Sequence, residues 1–368
     1  MFTRQAVTPR YNWQKIVEEQ GMFYHTIDGK EYWNESACYV LNSKLVDKIE
    51  DATNELHQMC LEFVAEEISK GDYEGYNFSD LAKDLIEKSW NNDHPYTYGR
   101  FDLGIDALGN LKMFEYNADT PTSLLEAAVI QWNWKEEIHP EADQFNSIHE
   151  ALIQNWGADK QKLGKTYFTA LTRGPHEDWG NLHYLMETAS LAGLQTSSIN
   201  LETIGWNGTD FVDLNGESIH SLFKLYPWEW LMNDEFSANI PNSKTLFIEP
   251  AWKMLLSNKL LLVKLWERHK NHPLLLEAHD YSENNFSRPN NVLLKPKLGR
   301  EGHGVMELTG QPWLPGNIIQ EKFNVVEFNG IQPVIGSWVV GNKACGIGIR
   351  EDKGITTNNS QFVPHYFI

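Results

Sequence analysis

The chain has 368 residues, 41% of them hydrophobic and 22% charged, which makes it a globular protein long enough for two or three lobes. Its 31 Lys and Arg against 50 Asp and Glu give a net charge of −19, which argues against a surface built for nucleic-acid backbones or anionic lipid. Three cysteines without close spacing, Cys38, Cys60 and Cys345, exclude a disulfide framework and a CxxC metal or redox site.

The first residues carry no apolar stretch followed by a cleavage site, so no signal peptide is expected. The longest apolar run, Leu260-Leu261-Leu262-Val263, is flanked by Lys259 and Lys264 and is too short to span a bilayer; the expected location is cytoplasmic. Apolar residues at threes and fours from Leu45 to Phe63 predict a long amphipathic helix over 43–71, capped by Ser43 and ended by Gly71. Within it His57 and Cys60 are too few to ligate zinc. A second helix is predicted from Ser79 to Trp90.

The pattern then changes. Asp106 to Asn110 reads as a turn joining two strands, Arg100 to Ile105 and Leu111 to Tyr116. Alternation along a strand puts Arg100 and Asp102 on one face of the first, and Glu115 and Asn117 on one face at the end of the second. Two carboxylates and an amide suit Mg²⁺, which takes few protein ligands and completes its shell with water and phosphates; Glu115 is placed to bridge two ions. The alternative is an ordinary hairpin in which Asp102 and Glu115 both pair with Arg100. The following Thr120-Pro121-Thr122-Ser123 offers hydroxyls and backbone donors for a carboxylate, though any turn uses such residues.

Thr166 to Leu171, Trp179 to Ala192 and Gln195 to Leu201 read as a β-α-β unit, hence a smaller parallel α/β lobe. Helix signals return from Ala251 to His269, with Lys259, near a helix start, as a phosphate candidate. Strands are predicted at Val292 to Lys295, Asn317 to Lys322, Pro333 to Val340 and Ala344 to Arg350. Lys295 precedes the glycine-rich loop Gly299 to Gly304, which contains Arg300, Glu301 and Gly302. Its glycines let backbone N–H groups approach phosphates, or else form a tight hairpin turn. The segment Ile319-Gln320-Glu321-Lys322 suits an adenine edge and a ribose, and Arg350 ends a later strand as a further anion contact. The expected division is 1–160 for the helical region and metal-ligand hairpin, 161–242 for the parallel lobe and 243–368 for a nucleotide lobe.

Together these stretches resemble the synthetase domain of the glutathionylspermidine synthase family, and especially its shorter single-domain acid–amine ligases. The likeness includes Glu55 to Cys60, Tyr98 to Asp102, Glu115 to Ser123, Phe223 to Pro227, Ser257 to Lys259, the Lys295 loop, Gly336 to Trp338 and Gly346 to Asp352. The resemblance implies an ATP-grasp fold, with ATP between two α+β lobes beside the parallel α/β lobe. It implies Asp102, Glu115 and Asn117 as ligands of Mg²⁺, with two ions expected. Arg100 and Thr120 would face a carboxylic acid substrate, and the acidic pair Glu177-Asp178 an amine. Lys259 and Lys295 would contact ATP phosphates, Arg300 would lie on a mobile loop, 319–322 would hold adenine and ribose, and Arg350 the terminal phosphate. About ten residues precede the matched region, so the amidase domain of bifunctional members is expected to be absent. The expected activity is ATP-dependent amide formation through an acyl phosphate. Its rivals are an ATP-binding module that has lost turnover and a hydrolase using Asp102 and Glu115.

Overall fold

The computed structural model describes residues 2–174, 176–281, 291–300, 302–308, 314–357 and 360–368. It is a mixed α/β protein whose main sheets differ in strand direction, and that difference locates the site.

The central sheet has five antiparallel strands in the order 361–363, 343–352, 332–340, 98–105 and 111–117. The predicted hairpin is therefore joined edge to edge with the last third of the chain. Its register sets Arg100 opposite Asn117 and Asp102 opposite Glu115, with a shift after Asp102. Arg100 and Asp102 also face Trp338 and Gly336 on the next strand. Gly336 is required there: a Cβ would come within 2.9 Å of the Arg100 Cδ, so a side chain would block the arginine from lying across the sheet. Phe101 and Tyr116 stack at 3.8 Å between ring centroids on the opposite, buried face, an apolar contact that joins the two strands.

The long helix, Ser43–Lys70, packs that apolar face. Its cap is Asn42, one residue ahead of the expected Ser43, with its side chain accepting from the Leu45 amide; Gly71 ends it at φ 63°. Thr53 on this helix meets Ser337 of the sheet at 2.7 Å, satisfying both buried hydroxyls. His57 is buried and bonded to Tyr116 and Asn342, and Cys60 packs in the apolar core. All three cysteines are buried free thiols, and burial pushes each thiol up, Cys38 to about 12. The second helix spans Asp80–Asn91 with Ser79 as its cap.

The expected β-α-β unit is present as Lys165–Ala170, His176–Leu191 and Gln195–Asn200. Its strands lie in a four-stranded parallel sheet, ordered 246–248, 221–224, 165–170, 195–200. A further four-stranded antiparallel sheet is ordered 278–280, 317–321, 292–296, 306–307, with Lys295 opposite Ile318.

The helix signals over 251–269 resolve into separate pieces, with Lys259 at the start of the last, as expected. A 3₁₀ turn (Ala251–Lys253) and a short helix (Met254–Ser257) precede Asn258 in an extended conformation, and a new helix runs Leu260–Arg268. Asn258 caps this second segment by accepting from the Leu260 amide, while the Lys259 amide donates to the Lys297 carbonyl. The break is what brings Lys259 up to the hairpin. Among the described residues no helix is long and apolar enough to cross a membrane.

Candidate functional site

One cleft of about 330 Å³ opens between the hairpin face of the central sheet and the antiparallel lobe. Arg100, Asp102, Glu115, Asn117 and Thr120 line it from the first third of the chain. Lys295, Arg300, Gly302, Gln320, Glu321, Lys322 and Arg350 line it from the last third. Phe114, Phe323, Val325 and Val334 supply an apolar wall.

The hairpin face carries a chain of ion pairs. Arg100 donates Nε to Asp102 Oδ1 at 2.7 Å and Nη2 to Oδ2 at 3.2 Å, and its Nη1 reaches the Thr122 carbonyl at 2.5 Å. Asp102 also accepts from Arg350 at 2.7 Å. Arg100 does not pair with Glu115. That carboxylate is held by Lys259 at 3.1 Å, and its other oxygen accepts from the Asn117 amide at 3.2 Å. Burial would raise Glu115, but the Lys259 and Lys295 ammoniums outweigh it and hold the carboxyl well below the usual range. The hairpin alternative is therefore half realised: Asp102 takes arginines from two strands, and Glu115 takes a lysine from a distant helix.

Lys295 is the group least well served. It is buried, and its Nζ donates to the Gln320 side chain at 2.6 Å and the Phe114 carbonyl at 3.1 Å, both neutral acceptors. Burial draws its pKa from 10.5 down to about 8 against the opposing pull of Glu115. A buried ammonium without a carboxylate in contact fits a site that receives an anion. Lys297, two residues on, is instead paired with Asp280 at 2.7 Å.

Arg300 reaches across the cleft mouth, donating to the Thr120 carbonyl at 3.1 Å with its guanidinium 5.6 Å from the Trp230 ring centroid. Gly302 sits at φ +68°, where a Cβ would fall 2.3 Å from the Thr356 carbonyl oxygen, so this turn accepts only glycine. Gln320 faces the cleft while Ile319, its neighbour in the alternating strand, turns into a small apolar cluster with Tyr281, Val292 and Leu294. Glu321 is at the exposed rim, and Lys322 pairs with Glu307. Glu301 lies outside the described residues.

Glu177 and Asp178 do not line the cleft. They open the helix His176–Leu191, where Glu177 accepts from the Ser123 amide at 3.1 Å, behind the Thr120–Ser123 loop. Asn181, one turn on, accepts from the Leu124 amide at 2.7 Å. This corner also holds Glu126, which the sequence reading passed over. Glu126 is fully buried, accepts from Tyr32 at 2.8 Å and leaves its second oxygen without a partner. Burial, then the charge of Glu177, drives its pKa up to about 8. The available signal was Ser123 followed by Glu126, which reads as a helix-capping box and so gives no hint of a buried acid.

The donor set suits Mg²⁺ in kind: two carboxylates and an amide, all oxygen donors, lining one cleft beside basic groups able to bind phosphates. Among the described residues there is no group of three or more His, Cys, Asp or Glu placed to hold a metal unaided. Such a set fits an ion whose shell is completed by phosphate oxygens.

Residues 4–368 match the glutathionylspermidine synthase preATP-grasp family, and the chain belongs to it. It is an enzyme of the ligase class. A Haemophilus influenzae protein named "Putative acid--amine ligase" is 50% identical over 366 residues, covering 93% of this chain and 92% of its own. The trypanothione synthetase of Crithidia fasciculata is 28% identical over 345 residues, 82% of this chain and 52% of that one. The bifunctional glutathionylspermidine synthetase/amidase of Escherichia coli K12 is 24% identical over 356 residues, 86% of this chain and 57% of that one. The chain thus spans little more than half the length of these two larger enzymes. A glutathione synthetase-like effector from Globodera pallida, solved in its apo form, shares the fold: TM-score 0.58 over 98% of this chain and 100% of that one, at 12% identity.

Proposed function

We propose that this enzyme is an ATP- and Mg²⁺-dependent carboxylate–amine ligase of the ATP-grasp type, joining a small carboxylic acid to an amine. The observation that carries the reading is Lys295: a buried ammonium facing the cleft with only neutral acceptors in contact, opposite two carboxylates of the hairpin.

In this reading the triphosphate lies between Lys295 and Lys259 on one side and Arg300 and Arg350 on the other, with adenine against the 320–323 edge and the apolar wall. Lys259 and Arg350, now spent on Glu115 and Asp102, transfer to phosphate oxygens and free those carboxylates. Asp102, Glu115 and Asn117 would then hold Mg²⁺, which supplies neutralisation of phosphate charge. A carboxylate oxygen of the acid forms a bond to the γ-phosphorus as the bond to the β-phosphate oxygen breaks, giving an acyl phosphate and ADP. The amine nitrogen then attacks the acyl carbon, and phosphate leaves. Arg100, buried across the sheet, stabilises the oxyanion that develops at that carbon, a contribution of about 3 kcal/mol for one such donor. The Thr120–Ser123 loop positions the acid. Glu177 and Asp178, behind that loop, would draw the cationic amine to this side of the cleft, and its proton leaves with the phosphate.

The test is to incubate the purified protein with MgATP and panels of acids and amines, measuring ADP release and the mass of new amides. Release of ADP that requires both an acid and an amine is expected. Nucleotide binding without turnover across the panels and cell-extract metabolites would overturn the reading.

A further inference from the structure

We infer that Asp119 and Lys224 form a positioning pair through which the parallel sheet sets the conformation of the acid-binding loop; this rests on the ligase reading. Asp119 lies between Asn117 and Thr120 in the chain, yet its carboxylate turns away from the cleft. Its Oδ1 accepts from Lys224 Nζ at 2.8 Å and its Oδ2 from the Trp228 amide at 2.8 Å, so both oxygens are engaged. Lys224 closes the strand Ser221–Lys224 in the middle of the parallel sheet. Its Nζ also donates to the Tyr226 carbonyl at 3.0 Å and sits 4.6 Å from the Trp228 ring centroid. The two side chains are 1% and 3% exposed.

On the loop's other face, the carbonyls of Thr120 and Thr122 accept from Arg300 and Arg100. The segment is therefore gripped from both sides, and the Asp119 anchor determines where those two carbonyls, and hence the two arginines, come to rest. Stability does not account for such a pair. Desolvation of two charges offsets most of their attraction, and well-packed apolar residues commonly do as well. A fixed geometry is what the pair adds, in a region where a displacement of about 1 Å costs on the order of a hundredfold in rate.

The test compares Lys224→Met, the double variant Asp119→Asn/Lys224→Met, and Glu67→Gln. Glu67→Gln breaks the remote Arg268–Glu67 pair and serves as a control for stability loss alone. Two readouts are used: amide hydrogen exchange of residues 118–125 without any substrate, and steady-state kinetics with KM for ATP. For Lys224→Met, exchange should rise at least about tenfold and kcat fall about a hundredfold, with KM for ATP within about threefold. The double variant should recover melting temperature but neither loop protection nor kcat, and Glu67→Gln should change neither readout. Unaltered exchange in Lys224→Met, or kcat that simply follows melting temperature across the three, would overturn the inference. Should the wild type itself fail to turn over, the ligase reading falls, and the exchange measurement still decides the positioning role.

Discussion

Replacing Lys295 by methionine should stabilise the nucleotide-free protein while removing its response to ATP. The fall of this lysine from 10.5 to about 8 means that the charged form is disfavoured in the fold by about 3 kcal/mol. The sign follows from proton counting. Between pH 8 and 10.5 the unfolded chain binds the proton that the folded protein has lost, so stability rises with pH across that window and the ammonium is a cost at pH 7. Methionine keeps the stem's packing and removes the charge, but leaves the Phe114 carbonyl and the Gln320 side chain without a donor, at about 1 kcal/mol each. The balance is a net gain of about 1 kcal/mol. Chemical denaturation at pH 7 measures it, and thermal shifts with MgATP measure the lost response. Wild type should gain about 2.7 kcal/mol at a hundredfold excess over Kd, and the variant close to none. A variant destabilised by more than about 2 kcal/mol, or one that keeps the full ATP shift, would refute the reasoning.

Arg100→Ala should abolish amide formation in a product assay while KM for ATP stays within about threefold, since the arginine serves the acyl carbon; normal turnover would remove the assigned role. Gly302→Ala should cost about 1–2 kcal/mol of loop stability and most of the turnover, because the turn is left-handed and a Cβ meets the Thr356 carbonyl; a fully active variant would show that the turn is not needed closed. Buried His57 and His365 are held down to about 4 and about 3, burial being the leading cause, so stability present above pH 6.5 should be lost as pH falls toward these values. For His57 alone this is about 3 kcal/mol by pH 4, and His57→Gln should flatten that part of the acid-denaturation profile.

Much of the site was legible because a hairpin obeys a period of two. Once the Asp106–Asn110 turn was placed, the shared face of Arg100 with Asp102 and of Glu115 with Asn117 followed from alternation alone. The same alternation separates Ile319 from Gln320, and only the direction of the lobe's core, unknown from one strand, decides which of them meets the cleft. What stayed hidden depends on contacts between distant segments. No local pattern says that Glu115 takes Lys259 rather than Arg100, or that Arg350 shares Asp102. Glu126 was concealed by a local pattern with a sufficient explanation of its own. The order of the parallel sheet, and with it the Asp119–Lys224 contact across 105 residues, is likewise a long-range fact.

The central claim is that carboxylates from the hairpin and basic groups from the last third of the chain meet around one triphosphate. Calorimetric titration with MgAMPPNP tests it directly, comparing wild type with Lys295→Met and Asp102→Asn. The account predicts one nucleotide per chain for wild type, loss of binding in Lys295→Met, and a loss of Mg²⁺ dependence in Asp102→Asn. Nucleotide binding that both substitutions leave unchanged would contradict it.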